Sequence, residues 1–246
     1  MSLLLGFTLY APLGSFGSIA VGERRESWDR PAKSAVLGLV GAALGLDRAD
    51  ELAQAALSKG YGYAVRSDAS GQLLADYHTA QVPPNRRGFP TRRDELKSNR
   101  LETILSRRDY RTEALHTALL WARDSSPATL EEIDAALREP CFVPYLGRKA
   151  CPLGLPLVPR LLDSDTLVGA FLAYDKEMSR AERALRDNLG LCLNDRGPIA
   201  TDVDLPVPHG GRPIRRERRR DDSVNRSGWR FELRDELILL RELTAE

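Results

Sequence analysis

The sequence predicts an α+β fold of the ferredoxin-like type, with an inserted arm and a smaller β-rich part at the C-terminal end. Three observations predict it. Strand and helix patterns before residue 150 follow the order β-α-β-β-α-β. A Pro-rich basic segment at about 80–101 interrupts that order without apolar periodicity, and strand-like stretches at 228–234 and 236–241 follow much later.

The first predicted strand, at residues 3–10, is followed by a long loop and then by a helix at residues 31–46. Pro31 supplies a start signal for that helix. Gly38 and Gly41 lie on one of its faces, and this spacing predicts close packing against a sheet.

Lys33 and Ser34 stand at the N-terminus of this helix, where free N–H groups and the helix dipole favour an anion such as phosphate. The alternative interpretation is a core helix with a solvated lysine, because a helix start alone is a weak motif.

The remaining elements of the predicted domain follow in order. A second helix is capped by Asp47 and runs to about residue 59, and strands are predicted at 61–67 and 72–79. After the arm, the chain returns along 102–111. A buried strand at 114–123, a helix started by Ser126 and Pro127, and a short last strand at 141–143 complete the order.

The sequence thus predicts an RRM-like domain at 1–150, with the arm at about 80–101, and a C-terminal subdomain at 151–246. Within the second part, 165–174 and 180–189 are predicted helices with many charges.

Charge is distributed unevenly along the chain. The net charge is only +1, but residues 81–108 hold eight Lys and Arg against three acids, and residues 206–220 hold six Arg against one Glu. The arginines at 212–220 suit an RNA contact, a contact with a neighbouring subunit or a mobile loop, and the sequence does not choose among these.

Residues 144–153 place Tyr145, Gly147, Arg148 and Lys149 in a tight loop after the predicted last strand. A tyrosine face stacks on a base while two cations hold phosphates. The alternative is a surface turn with an anchoring tyrosine and solvated charges.

Several classes of protein are disfavoured. The three cysteines lack a C-x-x-C pair and the three histidines are scattered, so we expect neither a metal site nor a disulfide framework, and no cofactor. The first basic residue is Arg24, which argues against a signal peptide, and no apolar run reaches the roughly 18 residues of a membrane span. We expect a cytoplasmic protein.

Five motifs occur in order along the chain: residues 9–17 (LYAPLGSFG), 31–34 (PAKS) running into 38–45 (GLVGAALG), 76–79 (DYHT), 145–153 (YLGRKACPL) and, more loosely, 220–222 (RDD) leading to 229–231 (WRF). Together they resemble the CasD subunits of Cascade, the CRISPR surveillance complex of subtype I-E, within the repeat-associated RNA-binding superfamily. Residues 155–203 match only diffusely.

The resemblance implies a non-catalytic subunit that binds the 5′ repeat-derived handle of a CRISPR RNA and caps one end of the complex. It also implies contacts with the backbone and large subunits, and with target DNA only indirectly through the complex. The thumb of the family falls on residues 80–101, where it is expected to lie across the guide near the handle.

The RNA-binding residues are predicted from this resemblance together with the basic and aromatic motifs. They are Ser15, Phe16, Arg24, Lys33, Ser34, Tyr77, His78, Arg86, Arg87, Arg100, Arg108, Tyr145, Gly147, Arg148 and Lys149.

The rival interpretation is a metal-free endoribonuclease, because a sister branch of the superfamily cuts precursor CRISPR RNA. Tyr77 or His78 would serve as general base, with Arg or Lys stabilising charge. A lone Tyr-His pair more often serves structure or binding, since catalysis also needs a convergent acid and oxyanion stabilisers. A third interpretation, an adaptor without RNA contact, fits poorly with the cations in and beside the arm.

Overall fold

The computed structural model describes residues 1–17, 20, 22–84, 88–191, 196–225, 228 and 230–241. The strands are β1 (Ser2–Gly14), β2 (Arg24–Arg25), β3 (Tyr61–Ala69), β4 (Gln72–Val82), β5 (Glu102–Ala122), β6 (Arg160–Ser164), β7 (Ile199–Asp202), β8 (Arg212–Asn225) and β9 (Arg230–Leu240). The helices are α1 (Lys33–Ala43), α2 (Glu51–Gly60), α3 (Arg92–Glu95), α4 (Leu130–Arg138), α5 (Leu167–Lys176) and α6 (Arg180–Asn188). None of these helices has the length and apolar character needed to cross a bilayer.

The described strands form one sheet whose main path runs β6-β1-β5-β3-β7-β9-β8, with β2 and β4 paired to β5. Neighbours along the first part of this path are antiparallel. The predicted α+β class is confirmed as a large antiparallel sheet with few helices. Strands of both predicted parts, 1–150 and 151–246, share this sheet, because β6 pairs with β1 and β7 pairs with β3.

Helices cover both faces of the sheet because side chains alternate along each strand. Leu5, Phe7 and Leu9 of β1 are buried in one core cluster with residues of α1 and α4. Leu4, on the opposite face of the same strand, is buried in a second cluster with Phe171 and other residues of α5. The two sets of apolar side chains on β1, one on each face, therefore pack against different helices: α1 and α4 on one face and α5 on the other.

Short polar residues cap the helices, but not always the residues that the sequence indicated. The Asp50 side chain accepts from the Ala53 N–H at 3.0 Å at the start of α2, where Asp47 was predicted. Thr129 forms a capping box with Glu132 at the start of α4, three residues after the predicted Ser126. Both helices exist as predicted, and only their starts move.

The predicted strand at 141–143 is wrong. These residues are exposed, and the Cys141 and Phe142 N–H groups donate to the carbonyls of Ala43 and Ala42 at 3.0 and 3.1 Å. They pair with carbonyls of the last turn of α1, where the helix runs out of N–H donors, and the Ala42 carbonyl also accepts from the Gly45 N–H at 3.2 Å. The strand that follows α4 and pairs with β1 is β6, about twenty residues later.

The predicted arm is the far end of a two-stranded ribbon. β4 pairs with the first half of β5, from Gln72 opposite Thr112 to Val82 opposite Glu102, whereas the second half of β5 lies between β1 and β3. Gly71 turns the chain into the ribbon with φ of 64°, and a Cβ there would lie 2.1 Å from the Thr112 carbonyl oxygen. Residues 102–111 and 114–123, predicted as separate segments, are therefore mostly one strand.

His116 is buried in the middle of β5, where its ring lies edge-on to Phe16 with 5.3 Å between ring centroids. Neither ring nitrogen has a hydrogen-bond partner among the described residues. Burial lowers the pKa of His116 from 6.5 to about 3; the charges of Arg30, Arg219 and Arg111 lower it further, and the charge of Asp29 opposes them. The ring is therefore neutral at physiological pH.

We predict that His116 makes the protein sensitive to acid. The unfolded chain takes up this proton near pH 6.5 and the folded chain only near pH 3, so stability falls as the pH drops through that window. The loss through this site is up to about 1.4 kcal/mol per pH unit. Denaturant unfolding at several pH values should show a shallower dependence in His116→Leu. Equal slopes in the two proteins would contradict the assignment.

Candidate functional site

A groove with a volume of about 1010 Å³ lies between four segments of the chain. Its walls are the loop after β1, one face of α1, the turn at 145–147 and the end of the β8–β9 hairpin. The residues that line the groove include Ser15, Gly17, Ser34, Ala35, Gly38, Tyr145, Gly147, Arg220, Arg230 and Phe231. Ser15, Ser34, Tyr145 and Gly147, four of the residues predicted from sequence, are thus brought together.

The floor of the groove is the face of α1 that carries its smallest side chains. Ser34, Ala35 and Gly38 line it, so the helix backbone is covered only thinly there. The prediction that both helix glycines pack on a sheet is wrong. Gly38 faces the groove, and Gly41 faces α2, where a Cβ would lie 3.0 Å from a Leu57 methyl carbon.

Two loops meet backbone to backbone at one wall of the groove. The Ser15 N–H donates to the Leu146 carbonyl at 3.1 Å, and the next residue, Gly147, adopts φ of 88°. A Cβ on Gly147 would lie 1.7 Å from the Ser15 carbonyl oxygen. Only glycine fits this contact. Tyr145 stays 43% exposed beside it.

Phe16 and Lys33, both predicted to contact RNA, are buried behind the groove. Phe16 is a core residue packed against His116, so its ring does not reach a ligand. The Lys33 ammonium donates to the Asp202 carboxylate at 2.9 Å, and the Lys33 backbone N–H donates to the Asp221 carboxylate at 2.9 Å. A carboxylate of the protein occupies the place at the helix N-terminus where an external anion was expected.

Asp221 belongs to a buried ion cluster that joins the β8–β9 hairpin to α1. Its carboxylate accepts from Arg234 at 2.9 and 3.0 Å, and Arg219 lies 3.7 Å away. Burial raises the pKa of Asp221, but these two guanidinium groups and the Lys33 N–H more than offset that effect, so its pKa is lowered. The hairpin wall of the groove is thereby held against α1 by charged hydrogen bonds.

Arg148 braces the loop at 145–149 against the base of the ribbon. Its guanidinium donates to the carbonyls of Asp109 and Arg25, both at 3.1 Å, and lies 4.6 Å from the ring centroid of Tyr110. The side chain predicted as a phosphate ligand is thus engaged within the protein. Lys149, its neighbour, is exposed, without an ion pair to the described residues.

A second cluster of predicted residues lies at the base of the ribbon. Arg24 in β2 and Tyr77 in β4 stand on either side of Arg107 in β5, in one row across three strands. Arg24 and Arg107 both contact the buried carboxylate of Asp109, at 3.2 and 3.3 Å. Tyr77 is 64% exposed. This row joins two cations with an aromatic face.

The other predicted arm residues are dispersed. Arg108 is exposed on β5, and Arg100 is exposed near the tip with only a loose ion pair to Glu102 at 3.6 Å. His78 pairs with Asp76 on β4. Arg86 and Arg87 lie outside the described residues.

Known proteins resemble this chain both in sequence and in fold. A family model described as CRISPR-associated protein (Cas_Cas5) matches residues 4–235, nearly the whole chain. The chain belongs to the Cas5 family. The Cascade subunit CasD of Escherichia coli (strain K12) is 33% identical to it over 175 residues, which cover 68% of this chain and 75% of that one. The resemblance drawn from the sequence is confirmed.

Two solved structures share the fold of this Cas5-family chain. A chain from a CRISPR RNA-guided surveillance complex superimposes with a TM-score of 0.63 at 22% identity, covering 98% of this chain and 90% of that one. A chain from a crystal structure of a Cas protein superimposes with a TM-score of 0.56 at 23% identity, covering 96% and 94%.

Sequence reasoning missed the hairpin wall of the groove in this Cas5-family chain. Arg220, Arg230 and Phe231 line it, but they are far from the other lining residues along the chain. The signal was the loose motif at 220–222 and 229–231, which was used for the resemblance but not for the site.

We predict that Gly147→Ala breaks the contact between the two loops of the groove. The left-handed backbone and the clash with the Ser15 carbonyl together should cost more than about 2 kcal/mol, or more than about 4 °C in melting temperature. Gly190→Ala is the matched control, because Gly190 has φ of 68° with no atom near its Cβ position. Equal losses in the two variants would show that the loop contact is not tight.

Proposed function

We propose that this Cas5-family chain is a non-catalytic RNA-binding subunit of Cascade that holds the 5′ handle of a CRISPR RNA in the groove. In the complex it caps one end and contacts the backbone and large subunits. It meets target DNA only through the complex, and it acts in the cytoplasm. The observation that carries the proposal is the groove itself, which Arg148 places beside a cationic ribbon. That the E. coli relative is a Cascade subunit supports it.

The groove suits a single strand with unstacked bases. Tyr145 on one wall and Phe231 on another offer aromatic faces, and Arg220 and Arg230 bring cations to the same space. Gly17, Gly38 and Gly147 lack side chains, so a ribose or phosphate can approach the protein backbone closely. The backbone of the two loops at Gly17 and Gly147 and the Ser34 hydroxyl then supply partners for 2′-hydroxyl and phosphate oxygens.

The ribbon serves as the thumb in this proposal. The row of Arg24, Arg107 and Tyr77 at its base presents two guanidinium groups and an exposed ring to RNA that leaves the groove. Arg100 and Arg108 extend the cationic surface, which would lie across the guide near the handle.

The proposal excludes catalysis by Tyr77 and His78. Adjacent residues of a strand point to opposite faces, so these two side chains do not converge on one phosphate. His78 is paired with Asp76, and the residue opposite Tyr77 on β5 is Arg107, a permanent cation that is neither a general acid nor a general base. General acid–base cleavage needs both partners on one side of the scissile bond.

We also infer that part of the sheet is a ferredoxin-like unit. The strands β6, β1, β5 and β3 are antiparallel neighbours in that order, with α1 and α2 between β1 and β3 and α4 between β5 and β6. The ribbon is an insertion between β3 and the central half of β5.

We predict that Tyr145→Ala weakens handle binding without unfolding the protein. The loss of base stacking should cost about 1–3 kcal/mol, or roughly fivefold to 150-fold in Kd, with little change in melting temperature because the ring is half exposed. Arg148→Ala should lower both affinity and melting temperature, since the loop loses its brace. Binding of a synthetic handle RNA and thermal unfolding are measured on the same samples.

Phe142→Ala is the control, because Phe142 is 50% exposed, lies near Tyr145 in sequence and does not line the groove. It should leave RNA affinity unchanged. Normal affinity in Tyr145→Ala would remove the groove from the proposal. Cleavage of repeat RNA by the isolated wild-type chain would overturn the non-catalytic role in favour of the endoribonuclease.

A further inference from the structure

The last hairpin of the sheet carries an exposed row of arginines. Every exposed cation of β8 is an arginine, and the arginine row consists of Arg216, Arg218 and Arg220, which alternate along one face of the strand. Arg212 and Arg215 are also exposed but belong to the opposite face. β8 lies at the edge of the sheet, so nothing among the described strands covers its outer side. The sequence left this segment open between RNA, a neighbouring subunit and a loop, and the structure shows a strand.

At residues 218–221, the charged side chains of β8 are buried on one face of the strand and exposed on the other. Arg219 and Asp221 point inward to the buried ion cluster, whereas Arg216, Arg218 and Arg220 alternate with them and remain exposed. Alternate residues of a strand are about 6.8 Å apart, so these three guanidinium groups are regularly spaced over about 14 Å.

The row carries more positive charge than its neighbours neutralise. One carboxylate, Asp235, serves both Arg216 at 2.6 Å and Arg218 at 3.8 Å. Among the described residues, Arg220 donates to the Phe231 backbone carbonyl at 3.1 Å and has no carboxylate partner.

The row is continuous with the groove. Arg220 is both the last member of the row and part of the groove wall. A strand of RNA seated in the groove that leaves past Arg220 therefore meets Arg218 and Arg216 next.

We propose that the arginine row extends the groove as a second track for the RNA backbone, an inference that rests on the proposed function. Guanidinium groups bind phosphate oxygens through two parallel hydrogen bonds, and evenly spaced cations match a polymer with one charge per nucleotide. Charged edge strands that only prevent sheet pairing need no single sign, whereas this row is all arginine.

The test compares RNA length and salt dependence. Full-length protein is titrated with single-stranded RNAs that begin with the handle and are about 4, 8 and 16 nucleotides long. Arg216→Gln with Arg218→Gln removes two members of the row and leaves Arg220, a groove residue, in place. The charge-matched control replaces the exposed Lys176 and Arg180 on α5 and α6 with Gln.

In wild type and in the control, affinity should rise with RNA length. The row variant should bind the shortest RNA normally, bind the longest about tenfold more weakly, and show a salt slope shallower by up to about 1.4. Should the double variant melt at a lower temperature, Arg218→Gln alone replaces it, because that side chain is 68% exposed, and should show a smaller loss of the same kind.

A row variant that keeps the full gain with RNA length would overturn the inference and leave the proposed function standing. The same holds if the variant loses only its binding to other subunits, since the row would then be a protein contact. Absence of RNA binding by wild type at every length would overturn the proposed function, and the row with it.

Discussion

One buried ion cluster holds the last hairpin of the sheet to α1, and the groove depends on it. Four cations, Arg30, Lys33, Arg219 and Arg234, meet four carboxylates, Asp202, Asp221, Glu217 and Glu236, and all but Glu217 are buried. Arg123 also pairs with Asp202, and Asp29 also pairs with Arg30. Each buried ion therefore has at least one partner of opposite charge. Removing a single partner leaves an uncompensated buried charge, which typically costs about 3–5 kcal/mol. The directional hydrogen bonds also fix where the hairpin sits relative to the helix.

The cluster separates structural arginines from arginines that remain available to a ligand. Arg219 donates to the carbonyls of Arg30 and Pro31 at 3.0 and 3.1 Å and lies 4.7 Å from the Trp28 ring centroid, so it fixes the chain that enters α1. Its strand neighbours Arg218 and Arg220 face outward. The same alternation that builds the cluster therefore presents cations beside the groove. Arg148 is a structural arginine at another wall of the groove, where its hydrogen bonds connect the loop at 145–149 to the base of the ribbon.

Local patterns in the sequence were sufficient for the main helices and the first strand, because apolar spacing and turn residues act over short distances. They were insufficient where a tertiary contact decides. Residues 141–143 have a strand-like composition, but their N–H groups are used at the end of α1. The sequence left Lys33 as an anion ligand or a solvated cation. Its partner in the structure, Asp202, lies far along the chain, so no local pattern could identify the pair. Tyr145 and Gly147 were included among the predicted site residues because they share one short motif, whereas Phe231 was not included.

The most direct test of the account is to locate the RNA on the protein. Handle RNA carrying a photoreactive base is cross-linked to the full chain, and the modified residues are identified by mass spectrometry. The account predicts adducts at Tyr145 and at residues 230–231, on opposite walls of the groove, together with adducts on the ribbon at Tyr77. Adducts confined to α5 and α6, on the other side of the sheet, would contradict it.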